Sequence, residues 1–257
     1  MIIDTHAHLT DESLSADLDQ VLAEASAADV TAILCVGTTV DSSTRAVELA
    51  ERHHAIRAAV GVHPNYSAQA APGDMERIAA LTAHPRVAAI GETGLDRYWD
   101  DAPWETQVEF LHAHIELSRR FDKPLVIHTR DCAEETLQIL RDAYRHNPFR
   151  AVMHSFTGPL EVAEGCLELG LFISFAGMLT YKNADDIRRI AAVIPADRVL
   201  VETDCPYLTP HPHRGKRPNK PSMVVHTLAV LAEVRGQTIH QAAAQTTSNA
   251  QSLFGPW

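Results

Sequence analysis

The apolar positions of the chain fall in short runs separated by longer mixed stretches. Eight runs read as strands: Ile2-Ile3, Ala32–Val36, Ile56–Val62, Val87–Ile90, Pro124–Ile127, Ala151–Met153, Leu171–Phe175 and Val199–Val201. They are continuously apolar rather than alternating, as strands covered on both faces are. They recur on average about every 28 residues, the size of a strand-helix unit. The stretches between them carry helical periodicity. Leu14, Leu18, Val21 and Leu22 fall at i, i+4, i+7 and i+8; Val108, Leu111 and Ile115 fall at i, i+3 and i+7, as do Leu137, Leu140 and Tyr144. Gln237–Phe254 reads as a closing helix. Eight such units in 257 residues predict an α/β fold, a (β/α)8 TIM-type barrel spanning residues 1–257 as a single domain. A doubly wound sheet is the competing arrangement.

Composition adds limits. With 46% hydrophobic residues the chain is not a disordered one, and a net charge of −11 excludes holding nucleic acid by bulk positive charge. The most apolar uncharged run, Leu169–Tyr181, has 13 residues, short of the roughly 18 a membrane span needs. The opening Met1-Ile2-Ile3-Asp4 lacks the basic and apolar regions of a secretory signal, and Cys35, Cys132, Cys166 and Cys205 show no paired spacing. Free thiols and a cytoplasmic location are therefore expected.

Candidate chemistry sits directly after the apolar runs. Ile2-Ile3 leads to His6 and His8, Ala59–Val62 to His63, Ala88–Ile90 to Glu92, Leu125–Ile127 to His128 and Arg130, Ala151–Met153 to His154, and Val199–Val201 to Glu202 and Asp204. In a barrel these are the C-terminal strand ends, where active sites are built. On a strand, residues i and i+2 point the same way, so His6 and His8 can share one ion. His112 and His114 have the same spacing within a helical segment, which turns them about 200° apart and leaves them unable to chelate. Four histidines and two carboxylates at strand ends suit Zn, Mn, Fe or Mg, and a bridging carboxylate suits two ions. His53, His54, His84, His146, His226 and His240 lie in helical or loop contexts and read as structural or surface residues.

A second signal follows the last strand. No acidic residue occurs between Asp204 and Glu233, and Arg214, Lys216, Arg217 and Lys220 fall within seven positions of that window. A basic, proline-stiffened loop beside a metal centre in an acidic protein points to phosphate contact.

These motifs together resemble the TatD family of metal-dependent deoxyribonucleases. The resemblance is carried by His6-x-His8, Gly61-Val62-His63-Pro64, Gly91-Glu92-Thr93-Gly94-Leu95-Asp96, His128-Thr129-Arg130-Asp131, His154-Ser155-Phe156-Thr157-Gly158 and Glu202-Thr203-Asp204-Cys205-Pro206. Arg214-Gly215-Lys216-Arg217 extends it, and it runs the length of the chain. It implies a barrel of the amidohydrolase superfamily, two divalent metal ions (Mg2+, Mn2+ or Zn2+) and phosphodiester hydrolysis, 3′-5′ on single-stranded DNA or RNA. Position by position, it implies that His6, His8 and Asp204 hold one ion, that His128 and His154 hold the other, and that Glu92 bridges them. His63 and Arg130 then lie beside the scissile phosphate. The expected chemistry has Asp204 positioning a water and taking its proton, with the nucleic-acid strand held locally at the mouth and no membrane or obligate protein partner. Two positions depart from the family pattern: Arg97 precedes Tyr98-Trp99 where two aromatics are usual, and Lys220 stands in Asn219-Lys220-Pro221 where glutamate is common. Both bear on substrate preference. The rival readings are a small-molecule amidohydrolase and a D-aminoacyl-tRNA deacylase on the same centre. No lysine is placed to serve as a carbamylated bridge, and Glu92 stands where one would be.

Overall fold

The computed structural model describes residues 1–257. Eight strands form one parallel sheet in the order of the chain: β1 Ile2–Ala7, β2 Val30–Val36, β3 Ile56–Val60, β4 Val87–Asp96, β5 Leu125–Arg130, β6 Ala151–Met153, β7 Phe172–Phe175 and β8 Val199–Val201. Sequential parallel order with helical crossovers makes a (β/α)8 barrel. The helices are α1 Glu12–Ser15, α2 Leu18–Ala27, α3 Val40–Arg52, α4 Asp74–Thr82, α5 Trp104–Phe121, α6 Ala133–His146, α7 Leu160–Glu168, α8 Asp185–Val193, α9 Val224–Val234 and α10 Ile239–Phe254.

The period of two along each strand splits the apolar residues into two cores. On β2, Ala32, Leu34 and Val36 join the inner cluster, while Ile33 and Cys35 pack outward against the helices. On β5, Val126 points in and Leu125 and Ile127 point out, so the same alternation turns His128 and Arg130 inward above Val126. On β8, Leu200 is inward and Val201 outward, which turns Glu202 in. The inner cluster also contains Ala250, Leu253 and Phe254, so the end of α10 plugs the floor of the barrel. Arg57 and Arg150 fasten that plug by donating to the Phe254 and Leu253 carbonyls at 2.7 and 3.1 Å.

The barrel closes between β1 and the segment after β8, at the mouth. Asp204 N donates to His6 O at 2.9 Å, His8 N donates to Cys205 O at 2.8 Å, and Ala7 bridges Cys205. Asp4 stitches the seam lower down: its carboxyl accepts from Thr203 N and Thr203 Oγ1 at 2.9 and 2.6 Å.

Several boundaries differ from the sequence expectation: β1 runs on to Ala7 and β5 to Arg130, so that His6, His128 and Arg130 lie within strands. The Leu14–Leu22 periodicity is shared by two helices, because Asp11 caps a single turn and the chain restarts at Leu18. β3 stops at Val60, and its neighbour β4 runs on to Asp96, so Glu92 lies within a strand rather than after one. β4 can continue because Gly94, at φ +137°, lets it pass the β5 backbone; a Cβ there would lie 2.0 Å from His128 O. All four cysteines are unpaired and buried, and no helix is long and apolar enough to cross a membrane.

Candidate metal centre

The inward strand ends converge on Glu92, which is almost wholly buried at the centre of five imidazoles. Its two oxygens face different groups. Oε2 lies 3.3 Å from His6 Nε2 and 3.6 Å from His8 Nε2. Oε1 lies 3.1 Å from His128 Nδ1, 2.9 Å from His154 Nε2 and 3.4 Å from His63 Nε2. Asp204 joins the first group, with Oδ1 3.4 Å from His8 Nε2 and 3.8 Å from His6 Nε2. It does so from a left-handed backbone at φ +54°, which aspartate tolerates better than most residues. Ser155 and Asp131, just beyond β6 and β5, are left-handed as well, so unusual backbone gathers around the mouth.

Which imidazole can offer a lone pair is decided by what lies behind it. His8 Nδ1 donates to Val36 O at 3.0 Å, which leaves Nε2 free toward Glu92 and Asp204. His154 Nδ1 donates to Glu202 Oε1 at 3.2 Å, which leaves Nε2 free. His128 is turned the other way: Nε2 donates to Asp96 Oδ2 at 2.9 Å, and Nδ1 faces the centre. His63 differs in kind. Its Nδ1 accepts from Asn65 N at 3.1 Å, so the neutral ring carries its proton on Nε2 and presents a donor to the centre. His6 Nδ1 is buried without a partner, and His6 Nε2 lies 3.2 Å from His8 Nε2.

The electrostatics follow the same division. Burial pushes the Glu92 carboxyl up, but His154, His63 and His6 and a hydrogen bond from His128 outweigh it and hold the group well below the usual carboxylate range. Asp204 is also buried, which raises it, yet His8 and its neighbours bring it below its ordinary value. Burial lowers His6 and His63. At His8 and His128 burial is overcome by their carboxylate partners, and both rise.

The donor set fits divalent metal. His6, His8 and Glu92 offer ligand atoms within 4.8 Å of one another, as do His63, Glu92 and His128, and His6, His154 and Glu202. Two members of these groups are less suited than their positions suggest. His63 Nε2 bears the proton, and Glu202 Oε1 is already engaged by His154 Nδ1 and Ser155 N, the latter at 2.7 Å. That leaves buried imidazole nitrogens and two carboxylates aimed at one space, the mixed ligation that suits hydrolytic divalent ions.

The sequence does not disclose that Asp96 and Glu202 act as orienting carboxylates. Asp96 and Glu202 each hold a histidine in the tautomer that frees its inward nitrogen. Both stood inside quoted motifs, two to four residues from a candidate ligand, and that proximity was the available signal. Hydrogen bonds from His128 and the Trp99 and Tyr98 amides overcome burial and bring Asp96 down to about 2, so it remains an anion.

Arg130 extends from the inward row of β5 with its guanidinium stacked 3.6 Å from the Tyr98 ring centroid. The basic loop is anchored to the Asp204 turn by Asn219, whose Nδ2 donates to Thr203 O and Tyr207 O at 3.0 and 2.6 Å. Arg214, Lys216 and Arg217 are exposed, and Arg214 lies 4.1 Å over the Tyr181 ring. Lys220 does not belong with them. Its Nζ is held by both oxygens of Glu24 on α2 at 2.7 and 2.9 Å, so the expected fourth phosphate contact is already neutralised.

A (β/α)8 barrel with imidazoles and carboxylates gathered at its C-terminal mouth is the architecture of a metal-dependent hydrolase. Residues 3–255 match the TatD related DNase family, and the chain belongs to it. It is 41% identical to the uncharacterized metal-dependent hydrolase YabD of Bacillus subtilis, over 99% of each chain. It is 34% identical to a protein of Klebsiella pneumoniae named 3′-5′ ssDNA/RNA exonuclease TatD, over 99% of this chain and 98% of that one. Its fold superposes on the crystal structure of the TatD homologue YJJV from Escherichia coli with a TM-score of 0.94 at 30% identity, covering 100% of this chain and 98% of that one.

Proposed function

We propose that the protein is a two-metal phosphodiesterase that trims single-stranded DNA or RNA from the 3′ end. The observation that carries the two-metal reading is the split of Glu92, with Oε2 toward His6 and His8 and Oε1 toward His128 and His154. His6, His8 and Asp204 would hold one ion and His128 and His154 the other, with Glu92 available to both groups. When bound, the ions supply Lewis acidity toward phosphate oxygens and lower the pKa of water toward neutrality.

The chain's own groups do the rest. Asp204, charged and partly open to the mouth, orients the attacking water and accepts its proton. His63 presents its Nε2–H to a phosphate oxygen from a ring fixed by Asn65. Arg130 stacks by its face and so keeps its in-plane N–H groups free for the same phosphate. Arg214, Lys216 and Arg217 hold the strand further out. The rest of the protein is acidic, so contact with the polymer is confined to this patch. Four unpaired, buried thiols suit a reducing cytoplasm.

The test compares salt dependence. Each phosphate contact on a single strand releases about 0.7 of a counterion, so Arg214→Ala with Arg217→Ala should lower the slope of log affinity against log salt by about 1.4. The probe is a labelled oligonucleotide bound to protein in EDTA. A small-molecule hydrolase predicts an unchanged slope. End-labelled DNA and RNA ladders, run with Mg2+, Mn2+ or Zn2+ restored, then give metal, substrate and polarity.

A further inference from the structure

We infer that Tyr98, Trp99 and Arg130 form a platform on which the unpaired base of the strand's terminal nucleotide stacks; this rests on the nucleic-acid reading above. The first observation is exposure. Tyr98 and Trp99 are 51% and 49% exposed, on the turn that leaves β4 at the barrel mouth. Large aromatic rings half in water beside a reaction centre are costly unless something covers them in use. The rings are mutually edge-on with centroids 4.8 Å apart, and the Arg130 guanidinium covers one face of Tyr98. Stacked aromatic and guanidinium planes are the surfaces that accept bases without regard to sequence.

The second observation is how the platform is held. Asp96 Oδ1 accepts from Tyr98 N and Trp99 N at 2.8 and 3.1 Å, while Asp96 Oδ2 accepts from His128 Nε2 at 2.9 Å. One carboxylate thus sets both the aromatic turn and a histidine of the centre. Arg130 stands two residues beyond His128 on the same inward row of β5. A phosphate at the centre and a base on the platform are therefore referenced to one anchor. Asn65 Nδ2 also reaches Asp96 Oδ2, at 3.3 Å, and ties in the loop that carries His63.

This accounts for the departure at Arg97. Its guanidinium lies 3.9 Å over Trp104 and its Nε is 3.3 Å from Glu135, so it packs against α5 and α6. The two rings that follow are left to the mouth. Tyr207 and Tyr66, 47% and 40% exposed, complete an aromatic rim beside His8 and His63 at 6.0 and 5.9 Å between centroids.

The test uses metal-loaded protein and two single-stranded oligonucleotides, one intact and one with an abasic terminal nucleotide. The wild type should prefer the intact strand by about tenfold in kcat/KM, the scale of one base stacked on an aromatic ring. Trp99→Ala and Tyr98→Ala should bring that ratio close to one, and Trp99→Phe should restore most of it. The turn is held through backbone N–H groups, so removing the rings leaves its hydrogen bonds in place. In parallel, a strand ending in 2-aminopurine is titrated with protein in EDTA; emission should be quenched by the wild type and not by Trp99→Ala. Cleavage with an unchanged ratio in the variants, or a wild type indifferent to the abasic end, overturns the platform and leaves the nuclease reading standing. Quenching without cleavage keeps the platform and overturns the nuclease.

Discussion

The tripeptide His-Ala-His occurs at 6–8 on β1 and again at 112–114 on α5. On the strand, Ala7 packs into the outer core and both flanking rings turn inward, where their Nε2 atoms come within 3.2 Å of each other. On the helix the two rings diverge: His112 is exposed and His114 is fully buried. His114 is also fully satisfied. Its Nε2 accepts from Val62 N at 3.0 Å and its Nδ1 donates to Phe110 O at 2.6 Å, so no lone pair remains for an ion. His8 has a free inward nitrogen because a carbonyl stands behind it. Both rings donate Nδ1 to a carbonyl, so backbone period and the partner at Nε2, the carboxylate-lined mouth for His8 and the Val62 amide for His114, separate a ligand from a structural residue.

The largest effect should come from Glu92→Ala. It removes the anion that both groups of histidines face, so turnover of bis(p-nitrophenyl) phosphate should fall by several orders of magnitude while circular dichroism stays native. Retention of near-wild-type turnover would break the strand side of the comparison.

His114→Ala should cost about 2–4 kcal/mol of stability, because a buried ring is lost and the Val62 amide is left unpaired. Urea unfolding reads the loss. Metal content of the folded variant should match the wild type, which would be false if His114 were a ligand.

The same residue gives a pH signature. Burial pulls His114 from 6.5 to about 4. Above 6.5 it is neutral folded or unfolded and carries no linkage. As pH falls from 6.5 toward 4 only the unfolded chain takes the proton, so stability drops by up to about 3 kcal/mol and levels off below. Denaturation curves at pH 7, 5.5 and 4.5 should show the stability difference between wild type and His114→Gln narrowing as pH falls, because His8, His128 and His154, shifted the other way, are common to both. His112→Ala, at the exposed end of the pair, should leave stability within about 0.5 kcal/mol.

Much of this was readable without coordinates. Every one of the eight strands lies where an apolar run stands, because a barrel strand is buried on both faces and its composition shows it. Extension of β4 past Ile90 was not readable, since Gly91-Glu92-Thr93-Gly94 has the look of a turn until β5 is beside it. The convergence of His6, His8, His128 and His154 followed from their places at the C-terminal ends of apolar runs. The work of Asp96 and Glu202 did not, because an orienting hydrogen bond depends on which ring nitrogen faces inward. The pairing of Lys220 with Glu24, 196 residues apart, left no local trace at all. His114 was read correctly as turned away from its partner; that it ties α5 to the chain just before His63 needed the fold.

Only the strand copy of His-Ala-His is expected to bind metal. Calorimetric titration of Zn2+ into metal-depleted wild type, His8→Ala and His112→Ala tests it most directly. Two sites are expected in the wild type and in His112→Ala with matching affinities, and a loss of one site, or a weakening of it by more than 100-fold, in His8→Ala. Equal losses in the two variants, or an unchanged isotherm in His8→Ala, would contradict it.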